Sequence, residues 1–414
     1  MCDHKFTFIM NFFCFVVLLL FSPVLLATTP KEPWTSPPRW ASLARFNDTI
    51  TATELEKLLQ TVYVPDGSWK SWITITPETA FIKPSPGEAQ RIQLSLAASP
   101  QECQPVPRYW KAPQERSPLP GKPLAGLTIA LDPGHLGGAW AKMEERWFKI
   151  GHTHPVEEGT MTFYEALLIA NRLRSLGATV QLTKTHLGPT TPLRPSMLRQ
   201  AAIDQFHEEG RTTWTHRQLK WLEEILFYRT AEIHYRAQRV NQELRPDLVI
   251  CLHFDAEEWG DAKHPQLIPS NRFHILISGN FNGSELRKEN DRYIMLRKLL
   301  GQVHDEEVGI ANAIAKAFEA TTSLPPFTYH NPTKARPALK ENPYLWNRNL
   351  LASRLMEAPV IFCEAYSMND PLIFQRIQLG DYDGTRLIQG KKFPSIYREY
   401  ADAVTQGLVN YFGK

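Results

Sequence analysis

The pattern of apolar and polar positions changes at Gly126, where short apolar runs begin to alternate with segments of helical periodicity. The runs predicted as strands are 127–131, 179–183, 247–252, 273–278 and 360–363, and the predicted helices are 162–176, 213–244, 306–321 and 395–411. This alternation predicts an α/β fold, with a mostly parallel sheet and helices on both faces. In such sheets, polar groups at the carboxyl ends of the strands form the natural site.

The part of the chain before this region has a different character. A Thr51 to Glu54 capping box predicts a short helix, and alternation at 72–76, 80–82 and 92–96 predicts strands. We therefore predict a small α+β accessory domain at 28–99 and a proline-rich linker at 100–123. The α/β domain then occupies 124–414, with a helical insertion at about 195–244.

The first 27 residues predict export. An apolar run follows Lys5, reaches Leu26 and gives way to a polar stretch after Ala27. This is the pattern of a signal peptide at 1–27, and it predicts an exported, periplasmic protein. An uncleaved membrane tether is the alternative, because about 20 apolar residues can span a bilayer.

Charge and cysteine content narrow the choice of partners. The chain has 46 Lys and Arg against 43 Asp and Glu, and a net charge of +3 over 414 residues is too small to indicate nucleic acid. Only Cys103, Cys251 and Cys363 lie outside the predicted signal, and no CxxC pair occurs. The sequence thus predicts neither a disulfide framework nor a cysteine-ligated zinc site. We expect a monomer.

Three predicted strands end in residues that bind metal or move protons. His135 follows Ile129 to Gly134, His253 follows Val249 to Leu252, and Glu364 follows Val360 to Cys363. A catalytic zinc site can take two histidines and one carboxylate as protein ligands and keeps its fourth position open. We expect the carboxylate ligand to come from outside these three strand ends, and Glu165 is the preferred candidate.

Other residues between the first histidine and Glu165 are rival ligands. They are Glu144, Glu145, His152, His154, Glu157 and Glu158. His152 and His154 are the strongest rivals, because an HxH pair can chelate a metal from an extended segment. The pairs of adjacent glutamates, at 144–145 and 157–158, are instead typical of a solvated loop.

Four segments resemble one family of cell-wall hydrolases, the zinc-dependent N-acetylmuramoyl-L-alanine amidases. These segments are 129–138, 165–170, 252–256 and 360–364, within a resemblance that covers about 126–414. The resemblance implies a phosphorylase/hydrolase-like α/β fold, one zinc ion held by His135, Glu165 and His253, and Glu364 as the catalytic carboxylate. Glu165 is preferred because the Ala-Leu-Leu-Ile-Ala that follows it matches the family helix.

The implied reaction is hydrolysis of the amide bond between N-acetylmuramic acid and L-Ala of the peptidoglycan stem peptide. Its role would be cell-wall remodelling or daughter-cell separation. A zinc peptidase or carboxypeptidase acting on wall peptides, and a non-catalytic wall-binding scaffold, are the alternatives.

Departures from the family pattern lead to further expectations. Leu136 replaces the family's glycine after the first histidine, and Asp255 replaces its asparagine. Asp132 and Asp255 are candidates for orienting the two imidazoles, with a plain turn or loop role as the alternative. Some family members carry an inserted helix that blocks the zinc cleft until a partner withdraws it. The insertion at 195–244 therefore predicts either such gating, with an activator or division protein as partner, or an extra helix packed on the sheet.

Overall fold

The alternating pattern after Gly126 forms a seven-stranded sheet in the computed structural model, which describes residues 33–87, 91–262 and 264–413. The predicted signal peptide at 1–27 lies outside the described residues. Within the described ranges, no helix combines the length and apolar character needed to cross a membrane.

Four parallel strands make up the centre and one edge of the main sheet. The strands of the described chain are β1 Ile73–Ile75, β2 Thr79–Ile82, β3 Ile92–Ser95, β4 Thr128–Pro133, β5 Trp147–Phe148, β6 Val156–Glu157, β7 Thr179–Leu182, β8 Leu248–Asp255, β9 Phe273–Ile277, β10 Arg336–Pro337, β11 Leu345–Asn347, β12 Val360–Ser367, β13 Arg386–Ile388 and β14 Lys391–Phe393. The order of the main sheet is β10-β11-β9-β12-β8-β4-β7, and β12, β8, β4 and β7 run parallel, whereas β9 is antiparallel to β12 and β10 is antiparallel to β11.

Helices cover both faces of this sheet, as predicted. The α-helices are α1 Ala52–Leu58, α2 Glu158–Ser175, α3 Arg199–Glu208, α4 His216–Leu226, α5 Glu232–Arg239, α6 Gly283–Leu286, α7 Glu289–Leu300, α8 His304–Thr322, α9 Leu351–Leu355, α10 Pro371–Gln378 and α11 Ile396–Phe412. Alternate residues of a strand point to opposite faces. In β8, Ile250 belongs to the core packed by α2, α8 and α11, whereas Val249 belongs to the core packed by α5 and α9. The predicted fold class is confirmed.

The N-terminal segment forms the predicted small α+β module. It contains α1, capped by the Thr51 hydroxyl, and the antiparallel sheet β1-β2-β3. Its core residues, including Leu59 and Tyr63, pack with Met295 and Leu299 of α7. The module thus shares its core with a helix from the second half of the chain. The domain boundaries at 28–99 and 100–123 stay predictions.

The helical insertion packs against the loop that follows β4. The predicted helix 213–244 forms as α4 and α5, joined and ended by the π-helical turns Phe227–Ala231 and Val240–Leu244. Leu219 and Leu222 share a buried cluster with Leu136. This contact is with the loop that carries His135 and not with the sheet, so both expectations for the insertion, gating by an activator or division protein and an extra helix packed on the sheet, stay predictions.

Candidate metal centre

The order of the strands brings the three sequence motifs together. β4, β8 and β12 are neighbours, Pro133 lies opposite Leu252, and His253 lies opposite Glu364. In a parallel pair, residues in register project from the same face, so His253 and Glu364 stand side by side. His135 follows β4 by two residues and lies at the same end of the sheet.

A tight turn after β4 presents His135. Its φ is 60°, a left-handed conformation that is uncommon for a residue with a Cβ. The buried Lys184 ammonium donates to the His135 carbonyl oxygen, and the Thr162 hydroxyl donates to the Gly134 carbonyl oxygen at 2.7 Å. Burial lowers the pKa of Lys184 to about 8. These two contacts hold the strained turn in place.

His135, Glu158 and His253 form a cluster of metal-ligating side chains. His135 Nε2 lies 3.0 Å from Glu158 Oε2, and His253 Nδ1 lies 3.1 Å from Glu158 Oε1. One ligand atom from each residue can be chosen so that all three lie within 4.8 Å of one another. The histidine side chains keep 19% and 13% of their surface exposed, so the cluster remains open to solvent.

Two glycines allow the Glu158 carboxylate to approach His135. Glu158 is the first residue of α2, and a Cβ on Gly159 would lie 2.3 Å from the backbone nitrogen of Gly137. A Cβ on Gly137 would lie 2.6 Å from the Gly159 carbonyl carbon. Only glycine permits this backbone contact, which places the start of α2 against the loop that carries His135.

The electrostatics favour an ionised Glu158. Burial raises the pKa of its carboxyl group, but His135, His253 and Arg146 more than offset this effect, and the pKa falls well below 4.5. Burial lowers the pKa of His253, which favours the neutral imidazole that binds metal. For His135 burial acts in the same direction, but Glu158 and Glu144 outweigh it and raise the pKa.

Glu144 supplies an outer contact to the cluster. Its carboxylate lies 3.3 Å from His135 Nδ1 and accepts hydrogen bonds from the backbone N–H groups of Leu136 and Gly137. A carboxylate on the far nitrogen of a ligating histidine fixes its ring and raises its basicity. Sequence reasoning assigned Glu144 to a solvated loop, yet only 2% of its surface is exposed.

Glu364 stands beside the cluster as an acid–base group. Burial is the main cause that raises the pKa of its carboxyl group well above 4.5, and the charges of Asp255 and Glu158 add to it. Arg146 and Arg348 act in the opposite direction. A carboxyl group with a raised pKa beside a metal-ligating cluster is typical of a general acid or base.

The structure places Glu165, the residue preferred from the sequence as third ligand, away from the cluster, so the geometry favours Glu158 in that position. Glu165 lies seven residues after Glu158 on α2, about 10 Å along the helix axis. It is fully buried, and both carboxylate oxygens lack a hydrogen-bond partner among the described residues. The prediction began α2 at Thr162, whereas the helix begins one turn earlier at Glu158. Glu158 is the acidic residue that meets the histidines.

The remaining candidates also have defined positions. The side chains of His152 and His154 are exposed and do not belong to the cluster. Asp132 accepts hydrogen bonds from Thr183 at 2.5 Å and Arg236 at 2.9 Å, so it ties α5 to β4.

Asp255 was the second carboxylate expected to orient an imidazole, and it also binds a different side chain. Asp255 accepts a hydrogen bond from Arg272 Nε at 3.0 Å. Neither Asp132 nor Asp255 takes the orienting position beside an imidazole that Glu144 occupies.

Replacement of Glu165 by Gln is expected to flatten the pH dependence of stability. Burial raises the pKa of Glu165 well above its ordinary value of 4.5 in the folded state. Its contribution to stability is therefore fully present below pH 4.5 and is lost as the pH rises toward the folded-state pKa. The free energy of unfolding of the wild type should fall relative to Glu165→Gln by up to about 1.4 kcal/mol per pH unit in that window.

Urea denaturation at a series of pH values measures this difference. Glu208→Gln is the matched control, because Glu208 is an exposed helical glutamate on α3. An unchanged pH slope in Glu165→Gln would show that the buried carboxyl is not protonated in the folded protein.

A methyl group at Gly134 is expected to disrupt the cluster. A Cβ there would lie 2.2 Å from the His253 ring, so the imidazole would have to move. We expect Gly134→Ala to lower zinc affinity by about tenfold or more, as measured by competition with a chromogenic chelator. Gly87→Ala, where the added Cβ meets no atom within 4 Å, serves as the control. Equal zinc affinity in both variants would contradict this packing argument.

Comparisons with known proteins give similarities at the level of structure. No family model matches the sequence, and no curated protein matches it. The structure is similar to an N-acetylmuramyl-L-alanine amidase from Mycobacterium smegmatis, with 17% identity, 70% of this chain and 98% of that chain covered, and a TM-score of 0.37.

Two further solved structures show the same level of similarity. One is an N-acetylmuramoyl-L-alanine amidase of Nostoc punctiforme, with 11% identity and a TM-score of 0.37. The similarity covers 70% of this chain and 99% of that chain. The other is an amidase from Clostridioides difficile in complex with a lipoprotein, with 12% identity, coverage of 69% and 98%, and a TM-score of 0.36. Values this low do not transfer a function, so the functional conclusion depends on the site itself.

Proposed function

We propose that the protein is a zinc-dependent hydrolase of the amide bond between N-acetylmuramic acid and L-Ala in peptidoglycan. The observation that carries the proposal is the cluster of His135, Glu158 and His253 beside Glu364. His135, His253 and Glu364 come from the segments whose motifs resemble the amidase family, and Glu158 comes from the start of α2.

The donor set suits a catalytic zinc ion. Two imidazoles and one carboxylate are the protein ligands of many zinc hydrolases, in which the fourth position holds water or substrate. Glu144 on His135 Nδ1 supplies the outer carboxylate that such histidines usually contact. His135 would hold the ion through Nε2 and His253 through Nδ1, the two nitrogens that face Glu158.

The chain's own residues supply the proton transfers. Zinc bound at this site would lower the pKa of a bound water and polarise the scissile carbonyl. Glu364 accepts the proton of the attacking water and then donates it to the leaving L-Ala nitrogen. Arg146 and Arg348, which interact electrostatically with Glu364, favour the ionised carboxylate that must accept the first proton.

The proposed setting is the cell wall. The apolar segment before Ala27 supports export, because it has the order of a signal peptide. The sequence motifs at His135, His253 and Glu364, which resemble those of the amidase family, support peptidoglycan as the substrate. Cell-wall remodelling or daughter-cell separation is the role that such a reaction would serve.

Mass spectrometry of fragments released from purified peptidoglycan tests the proposal. We expect free stem peptides that begin at L-Ala, released in the presence of zinc and absent after chelation. Restored release on zinc addition is the control for chelator damage. Shortened peptides still attached to muramic acid would instead show a zinc peptidase, and no metal-dependent release would contradict the proposed activity.

A further inference from the structure

A basic cleft lies at the opposite end of the main sheet from the candidate metal centre. Its wall includes Arg245, three residues before β8, and Glu357, three residues before β12. Leu248 and His253 are separated by five steps of β8, about 17 Å at the rise of a strand. The cleft is therefore separate from the proposed zinc site.

The volume and lining of the cleft fit a small anion. The volume is about 310 Å³, at the lower end of the roughly 300–1,000 Å³ of small-molecule sites. The basic residues in the wall are Arg45, Arg108, Arg245, Arg297, Lys298 and Arg354, and the acidic residue in the wall is Glu357. Clustered guanidinium groups suit phosphate, which they can bind through parallel hydrogen bonds.

Two of these guanidinium groups are held in place by aromatic rings. Arg108 stacks over Trp110 at 3.7 Å from the ring centroid, and Arg245 stacks over Tyr109 at 4.5 Å. Trp110 is itself buried in the core beside the sheet, so the ring under Arg108 is held in a fixed position. Stacking reduces the side-chain freedom that binding an anion would otherwise have to restrict.

The acidic partners leave part of this charge uncompensated. Lys298 pairs with the buried Glu307, and Arg354 lies near Glu285 and Asp291, so these cations are already matched. Arg108 pairs with Glu115, which is half exposed.

The single carboxylate of the wall serves two guanidinium groups. Glu357 lies 3.0 Å from Arg297 and 3.8 Å from Arg45. Arg245 is exposed to solvent and has no carboxylate within 4 Å among the residues that the structure describes. An anion bound between Arg245, Arg108 and Arg45 would balance this charge.

The backbone at Arg245 determines which substitution tests the site. Arg245 ends the helical insertion with φ of 44°, and its N–H donates to the Val240 carbonyl oxygen at 2.8 Å. Glycine or asparagine usually occupies such a left-handed position at a helix end, so asparagine fits there without added strain.

From the cleft, its stacked guanidinium groups and the uncompensated Arg245, we propose a binding site for a phosphate-bearing ligand about the size of a monosaccharide. The phosphate lies between Arg245, Arg108 and Arg45, and the rest of the ligand fills the cleft. The shared chemistry is a phosphoryl group, which either a sugar phosphate or a lipid headgroup can supply.

Calorimetric titration of the purified protein with pyrophosphate tests this site. We expect saturable one-to-one binding that weakens as salt rises, and about a tenfold or greater loss of affinity in Arg245→Asn. Asn accepts the left-handed backbone more readily than Arg, so the variant should be no less stable. The melting temperature checks this point.

Arg386→Gln is the matched control, because Arg386 stacks on Tyr382 at 4.3 Å outside the cleft. Its affinity for pyrophosphate should equal that of the wild type. Titrations with N-acetylglucosamine 1-phosphate and glycerol 3-phosphate then distinguish a sugar source from a lipid-headgroup source by their relative affinity. No saturation up to millimolar pyrophosphate, unchanged affinity in Arg245→Asn, or tighter binding of citrate than of pyrophosphate would overturn the proposal.

This test is independent of the proposed reaction. Arg245→Asn leaves the zinc cluster intact, so release of stem peptides should be unchanged in the absence of the anion. Failure of the amidase assay in wild type and variant alike would count against the proposed function and would leave the titration result unaffected.

Discussion

Replacement of Glu158 by Gln is expected to remove zinc and abolish wall hydrolysis. The carboxylate lies within 3.1 Å of both histidines, and Gln replaces its negative charge with a neutral amide. Loss of a residue that only supports a metal ligand lowers metal affinity by about 10–100-fold. Because Glu158 would bind the zinc directly, we expect zinc affinity to fall by about 100-fold or more. Equilibrium dialysis with metal analysis measures the affinity, and release of stem peptides measures the activity.

Glu165→Gln is the matched control for this experiment. It makes the same chemical change on the same helix, about two turns further along α2. Because Glu165 is buried away from the cluster, its variant should keep wild-type zinc affinity and activity. The opposite pattern, with zinc lost in Glu165→Gln and kept in Glu158→Gln, would restore the sequence-based assignment and contradict the geometry of the cluster.

Replacement of Glu364 by Gln is expected to stop turnover while zinc remains bound. Gln keeps the shape of the side chain beside His253 but can neither accept nor donate the transferred proton. We expect kcat to fall by about 10²–10⁴-fold, the usual contribution of a positioned acid or base. Zinc affinity should change little, because Glu364 is not one of the three clustered ligands.

Measurement of kcat and KM together separates this role from a binding role. Loss in kcat with little change in KM is the expected result for a group that acts in the transition state. Near-wild-type kcat would show that another group moves the proton. Loss of zinc together with activity would show instead that Glu364 supports the metal site.

The sequence predicted those parts of the site that follow directly from strand order. In the sequence, His135, His253 and Glu364 each follow a buried apolar run, and neighbouring parallel strands bring such positions to one edge of the sheet. In the structure, β8 and β12 continue past His253 and Glu364 to Asp255 and Ser367. The sheet has this order, with β4, β8 and β12 adjacent. The local pattern of apolar runs was therefore enough to predict that these three residues lie together.

The proposed third ligand, Glu158, could not be predicted in this way, because its position depends on a tertiary contact. Glu158 follows the short strand β6 and begins α2, where close packing of Gly137 on Gly159 sets the entry of the helix. That packing joins residues 22 positions apart and leaves no periodic signal. Gly159, directly after Glu158, was the one local indication of this close packing. Glu165 was preferred only because the helical pattern that follows it matches the family helix.

Burial of charged residues in the loop after β4 was equally hidden. Glu144 and Glu158 each belong to a pair of adjacent glutamates, a pattern typical of solvated segments, and each is 2% exposed. The Glu144 carboxylate is matched by His135 and by backbone N–H groups of its own loop, whereas the Glu158 carboxylate is matched by the two distant histidines. Single-sequence reasoning cannot locate such partners, because they are set by the packing of the loop under α4 and α2.

The most direct test of the central claim is anomalous diffraction at the zinc edge from crystals of the protein grown with zinc. We predict one strong peak about 2.0–2.2 Å from His135 Nε2, His253 Nδ1 and a Glu158 oxygen. A peak bound by Glu165, or by His152 and His154, would contradict this account. So would the absence of any peak between the two strand-end histidines.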